Sequence, residues 1–275
     1  MKLAALNGSV GLVTGASSGI GRAIAVELAH RGADVALFAR RADRLEEVAA
    51  KIRALGRRAM ITPGDVTRDE DLPRAVAAAR TALGPIDIVV ADAGFQVTGR
   101  VDELTLGDFR RQFETNVFGV LRTIYATLDD LVVRRGRLVV IGSQLGYVAL
   151  PKTAAYSMSK FAVRALAQAL RFELEPEGPS VTLVTPGNVE SEIRRIDNHD
   201  VLHAEVPDPT PRWLQISSDR AAREIVDAAI RRRPECKLTW MAKLAVAMER
   251  RAPRLLEAVI RLGRISGRTE PGRAR

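Results

Sequence analysis

Apolar positions along this chain follow two rhythms. Short, nearly continuous apolar runs recur at 10–14, 33–40, 58–62, 86–91, 137–141 and 181–185. Between them apolar residues return every three or four positions, as in Ile20, Ala23, Ile24 and Leu28, or Leu45, Val48, Ala49 and Ile52. The first rhythm reads as strands buried on both faces, the second as amphipathic helices. The spacing predicts helices over 20–31, 42–55, 106–133, 154–174 and 217–232, and one capped by Thr67 with Glu70 that runs to residue 83. Strict alternation of the two element types argues an α/β fold, a doubly wound parallel sheet with helices on both faces. Such a sheet opens a crevice at the carboxyl ends of its strands, where the strand order reverses.

No repeat or low-complexity linker divides the body. Residues 1–240 are therefore expected to form one domain, and 241–275 a helical extension. The segment 190–215 is polar and Pro-rich and has the position of a lid. Loops of that length inside a domain are usually functional. Its Ile193, Ile196, Val201, Leu202, Trp213 and Leu214 are candidates for an apolar pocket wall. His199 and His203 have metal-like spacing but no third ligand in sequence, so no metal site is expected.

Composition narrows the function classes. The formal charge is +9, but +6 of it lies between Trp240 and Arg275, which leaves an ordinary +3 for the body. Nucleic acid is therefore not an expected partner of the body. The lone Cys236 excludes an internal disulfide and fits a reducing compartment. The residues before the first strand are too few for a secretory signal, and no apolar run reaches the length of a membrane span, so a cytoplasmic protein is expected. In the extension, Met241, Leu244, Ala245 and Met248 form one short apolar face. Leu255, Leu256, Val259 and Ile260 form another beyond Pro253. Such a basic amphipathic pair is expected to pack on its own domain or on a partner subunit, ahead of an anionic membrane surface. Residues past 263 are expected to be mobile.

The stretch Thr14-Gly15-Ala16-Ser17-Ser18-Gly19-Ile20-Gly21 follows the first strand and opens the first helix. Strand, glycine turn and helix come in the order of a nucleotide-binding unit. The glycines permit a tight turn, close approach of a pyrophosphate and close helix packing, and the helix N-terminus offers N–H groups to phosphate. At the end of the second strand stand Arg40 and Arg41. A guanidinium there suits a 2′-phosphate, which a carboxylate would repel. NADP(H) is therefore ranked above NAD(H) as the cofactor, and Ser17 adds a hydroxyl donor.

Tyr156 and Lys160 lie four residues apart, on one face of a helix. A phenol ordinarily titrates near 10, and a neighbouring ammonium favours its ionised form, which makes it a usable proton carrier. Ser143, at the end of the fifth strand, lies thirteen residues before Tyr156, and Asn116 lies 27 before Ser143.

The G-x-x-x-G-x-G turn, Asp65-Val66, Ala91-Asp92-Ala93-Gly94, the Asn116–Ser143–Tyr156–Lys160 set and Pro186-Gly187-Asn188-Val189 together resemble the short-chain dehydrogenase/reductase family over about residues 10–233. The resemblance implies a Rossmann-like fold. It also implies a cofactor site of Gly15, Ser17, Ser18, Gly19, Ile20, Gly21, Arg40, Arg41, Asp65, Val66, Ala93, Gly94, Tyr156, Lys160, Pro186, Gly187, Val189 and Ser191. Asp92 departs from the family, which has Asn there to tie the sheet backbone together. In the implied chemistry Tyr156 is the acid/base, Ser143 holds the carbonyl oxygen, Lys160 holds the nicotinamide ribose and Asn116 orders a water for proton relay. Gln144, Tyr147 and Leu150 are expected to line the substrate pocket opposite Ile193. The implied partners are a small carbonyl or alcohol substrate and further copies of this chain, in a homodimer or homotetramer built on the two long helices. Two other readings of the same residues are a dinucleotide-binding regulator or scaffold, and a lipid carbonyl reductase at a membrane surface.

Overall fold

Strands whose side chains are buried on both faces must pair within a sheet that is covered twice. A computed structural model describes residues 5–198, 201–203, 205–208 and 210–266, the last four of these without their side chains. Among them the strands β1 (Val10–Thr14), β2 (Asp34–Ala39), β3 (Ala59–Pro63), β4 (Ile88–Ala91), β5 (Arg137–Ile141), β6 (Ser180–Thr185) and β7 (Glu235–Lys237) form a parallel sheet in the order β3-β2-β1-β4-β5-β6-β7. The order reverses between β1 and β4, so the crevice opens at the ends of these two strands.

Two apolar layers sandwich the sheet. On one face Val13, Val35, Val90 and Val139 pack against Ile24 and Leu28 of α1 (Gly19–His30), Leu45 of α2 (Ala42–Ala54) and Ile225 of α7 (Ser218–Ile230). On the other, Leu12, Val89, Leu138 and Val140 meet Val76 of α3 (Asp71–Leu83), Ile124 of α5 (Gly119–Val133) and Val163 of α6 (Ala154–Leu174). Alternate residues of each strand thus serve opposite layers, as the pleat requires.

Four features differ from the sequence expectation. The helix expected over 106–133 is not continuous: α4 (Leu106–Phe113) passes through a π-helical turn, Glu114–Phe118, before α5 begins. The wider turn carries Asn116, whose side chain is buried and makes three hydrogen bonds across to the β4 loop and α6. The Thr67–Glu70 capping box is absent. The Thr67 N–H and hydroxyl both donate to Asp65 Oδ1 at 2.9 Å, and α3 begins later, at Asp71. A capping box forms instead at α4, between Thr105 and Asp108. β7 was not expected, because a short, charged edge strand carries no apolar signal.

The extension forms α8 (Trp240–Arg251) and α9 (Pro253–Ser266). Val246, Met248, Leu256 and Ile260 pack onto Tyr147 and Val148, so the expected faces split. Leu244, Leu255 and Val259 stay exposed. No described helix is long and apolar enough to cross a membrane. His199 and residues 267–275 lie outside the described residues.

Candidate active site

Four glycine-dependent contacts shape the crevice. Gly15 has φ +71°, and a Cβ there would lie 2.9 Å from the Ala93 backbone nitrogen. At Gly21 a Cβ would come within 2.6 Å of both the Gly15 carbonyl oxygen and Asp92 Oδ2. Gly19, at φ +54°, opens α1, and a Cβ on Gly94 would press to 3.0 Å on Asn116 Oδ1. Backbone therefore lies where side chains would otherwise fill the space.

The result is a cleft of about 960 Å³. Every residue assigned above to the cofactor borders it except Gly21, which sits behind the turn. The first turn of α1 borders it too, bringing N–H groups that the helix itself leaves unpaired. Arg41 marks one end. Its Nε and Nη2 donate to Ser17 Oγ at 3.3 and 3.1 Å, which joins α2 to the glycine turn. The volume and the glycine floor fit a dinucleotide.

Ser143, Tyr156, Lys160 and Asn116 border the other end. Ser143 leaves β5 in extended conformation, its Oγ accepting from the Leu145 N–H at 3.1 Å, on the same cleft as the Tyr156 phenol. Lys160 Nζ donates to the Ile141 carbonyl oxygen at 2.8 Å. Both N–H bonds of the Asn116 amide are engaged, one to Phe95 O at 3.0 Å and one to Ser159 Oγ at 3.3 Å, while its oxygen accepts from the Phe95 N–H at 3.1 Å. The amide thus holds the segment after β4 against α6.

Electrostatics here differ from expectation. Burial pushes the Tyr156 phenol up to about 12; the Ser143 hydrogen bond and Arg194 pull it down, and Asp92 pushes it further up. Lys160, expected to lower it, is itself pulled down to about 8 by burial, against the opposing charge of Asp92. Burial lifts the Asp92 carboxyl to about 7, while Lys160 and the Gly21 N–H favour its ionised form. The tie to the sheet backbone passes instead to Thr14, whose Oγ1 accepts from the N–H groups of Asp92 and Ala93 at 3.2 and 3.3 Å.

The substrate side is apolar where Leu145, Leu150, Ile193, Ile196 and Leu202 border the cleft, with Gln144 beside them. Tyr147 is not on this wall. It is 3% exposed and turned to α8 and α9, its ring under the Arg164 guanidinium at 3.9 Å and its hydroxyl reaching Glu235 at 3.4 Å. Val201, Trp213 and Leu214 do not border the cleft either, and Trp213 is exposed. His203 pairs with Asp197 at 3.0 Å and with Glu205 at 3.5 Å. Among the described residues no group of three or more His, Cys, Asp or Glu is arranged to hold a metal ion.

Glu192 and Arg194 border the cleft and were not anticipated. Arg194 is held by Asp208 at 2.8 and 2.6 Å and by the Val189 carbonyl at 3.1 Å. Glu192 meets arginines 151 and 148 positions away, a pairing with no local trace in the sequence.

Comparison with known proteins places the chain among its relatives. The short chain dehydrogenase family model matches residues 9–201. The chain is 32% identical over 276 residues to 11-beta-hydroxysteroid dehydrogenase A of Sesamum indicum, covering 96% of this chain and 78% of that one. It is 40% identical over 189 residues to glycine betaine reductase ATRR of Emericella nidulans, covering 68% of this chain but only 15% of that much longer protein. Its fold matches an alcohol dehydrogenase from Thermococcus sibiricus, complexed with 5-hydroxy-NADP, with a TM-score of 0.73 at 29% identity over 84% of this chain and 95% of that one.

Proposed function

The chain belongs to the short-chain dehydrogenase/reductase family of oxidoreductases, and from that premise we propose that it is an NADP(H)-dependent enzyme interconverting a carbonyl and a secondary alcohol, with Tyr156 as general acid and base. The observation that carries this reading is the layout of one cleft, with Arg41 at one end and Ser143, Tyr156 and Lys160 converging at the other. The Thermococcus sibiricus relative, complexed with an NADP derivative, supports the choice of cofactor class.

A bound nicotinamide dinucleotide supplies the hydride in one direction and takes it in the other. The side chains do the rest. Ser143 holds the substrate oxygen and stabilises the charge that develops on it. The phenol, whose pKa Ser143 pulls down, gives its proton to that oxygen in reduction and recovers it in oxidation. Lys160, fixed to the end of β5, holds positive charge beside the site. Asn116 positions the segment Gly94-Phe95 and is the residue assigned to order the water that relays protons to Lys160. The apolar wall of Leu145, Leu150, Ile193, Ile196 and Leu202 selects a moderately apolar substrate.

The outer faces of α5 and α6 expose Tyr125, Val132, Met158, Phe161 and Phe172, which supports a homodimer or homotetramer formed through them. The single thiol, Cys236, supports a reducing, cytoplasmic setting. The decisive test is a panel of carbonyls and alcohols followed by nicotinamide absorbance with both cofactors. Turnover of no member with either cofactor would refute the proposal.

A further inference from the structure

Among the described residues, two contacts fasten the lid to distant elements, and one of them occupies the cofactor-discriminating end of the cleft. Beyond the root of the lid, the Asn198 amide exchanges two hydrogen bonds of 2.8 Å with the backbone of Thr98. At the root, Glu192 reaches the start of α2. Arg44 Nη1 donates to Glu192 Oε1 at 2.7 Å, and Arg41 Nη1 donates to Oε2 at 3.3 Å. Burial pushes the Glu192 carboxyl up, but Arg44 and Arg41 more than offset this and hold it below the usual carboxylate range. An ionised carboxylate therefore sits on the same guanidinium that donates to Ser17 in the glycine turn.

We propose that Glu192 is a cofactor-selectivity residue: its carboxylate competes with a 2′-phosphate for Arg41, and a phosphorylated dinucleotide must displace it from that guanidinium, loosening the hold of α2 on the lid root. This rests on the reading of the cleft as a dinucleotide site. The charge balance gives the competition its direction. A phosphomonoester carries about −1.5 to −2 charges at neutral pH and three acceptor oxygens, against a single charge and two oxygens on Glu192. The phosphate wins the guanidinium, but its net gain is reduced by the ion pairs that Glu192 gives up. An unphosphorylated ribose brings no charge, so it leaves the Glu192 pairs in place. Arg44 keeps a hold on Glu192 after Arg41 turns to phosphate, which limits how far the lid root moves.

The test is equilibrium binding of NADPH and NADH, by calorimetry or nicotinamide fluorescence, to the full chain and to Glu192→Gln, Arg41→Gln and the double variant. Glu192→Gln is expected to tighten NADPH about tenfold, equivalent to about 1.4 kcal/mol, and to change NADH by less than about twofold. In the Arg41→Gln background the gain disappears, because the contested group is gone. Weaker NADPH binding in Glu192→Gln, equal shifts for both cofactors, or a gain that survives Arg41→Gln would each overturn the proposal. Binding of both cofactors with no effect of Glu192 would refute this inference alone. Binding of neither cofactor by the unaltered protein would refute the dinucleotide reading with it.

Discussion

Lys160 Nζ donates to the carbonyl oxygen of Ile141 across 2.8 Å, bolting the helix that carries Tyr156 to the strand that delivers Ser143. The bond sets the two chemical groups in one frame, with Ser143 two residues beyond Ile141 and Tyr156 one helical turn before Lys160. It also explains why a buried lysine is tolerated. Burial drives its pKa down to about 8, and the Asp92 charge opposes the fall.

Tyr156→Phe removes the proposed proton carrier and leaves the ring. The phenol is pushed up to about 12, so the free protein holds it as a donor at neutral pH. Carbonyl reduction by Tyr156→Phe is expected to fall by roughly 10²–10⁴. NADPH binding, followed by fluorescence, stays within about twofold, since the loss belongs to the chemical step. Turnover near the unaltered rate would remove Tyr156 from the mechanism.

Asp92→Asn tests the charge that faces Lys160. Asp92 acts on both Lys160 and Tyr156 here. Without the carboxylate, Lys160 loses the charge that favours its protonated form, so the alkaline limb of kcat/KM for reduction moves to lower pH. Stability should respond as well. The folded-state pKa of Asp92, about 7, lies above the ordinary carboxylate value of 3.8. Its contribution is therefore complete below 3.8 and is lost as pH rises through 7. Thermal melts at pH 5 and pH 8 should differ less for Asp92→Asn than for the unaltered protein. An unmoved alkaline limb would show that Asp92 does not act on Lys160.

The strands and most helices were legible because two-sided burial and the amphipathic repeat leave plain periodic traces. Val10–Thr14 and Ala154–Leu174 are where the periodicity placed them. The Tyr156–Lys160 pair was legible because helical geometry alone brings them to one face. Four features lay beyond local pattern. The π turn at Asn116 follows from hydrogen bonds to Phe95 and Ser159, which lie 21 and 43 residues away. Glu192 and Tyr147 take their places from partners on other elements, Arg44 for one and Arg164 for the other. The direction of the Tyr156 shift depends on burial, which the Tyr–Lys spacing does not report.

Gly15→Ala tests the cleft floor. The new Cβ meets the Ala93 backbone at 2.9 Å in a conformation, φ +71°, that alanine rarely adopts. A loss of about 1–3 kcal/mol in unfolding free energy is expected from urea titration, from strain at a positive φ. Binding of both cofactors weakens together, because the displaced Ala93 and turn border the whole cleft. Selective loss of NADPH alone would place the strain at the Arg41 end instead.

Tyr147→Ala tests whether the C-terminal helices belong to the folded unit. Tyr147 is the hub of the contact: its ring lies under Arg164 at 3.9 Å and within 5.9 Å of Arg250, and its side chain packs in the cluster with Val246 and Leu256. Removing a buried aromatic ring costs about 3–5 kcal/mol, part of it from the cavity left behind. Because the ring touches α8 and α9 on one side and follows the Ser143–Gly146 turn on the other, the loss has two readouts. Urea unfolding should shift to lower denaturant, and hydrogen exchange should quicken first in residues 240–262, ahead of the sheet. Leu256→Ala, which opens the same contact from the helix side, should give the same exchange pattern with a loss of about 2–5 kcal/mol. If both variants unfold the sheet and the helices together with no early exchange in α8 and α9, the pair is an integral part of the core and not a docked extension.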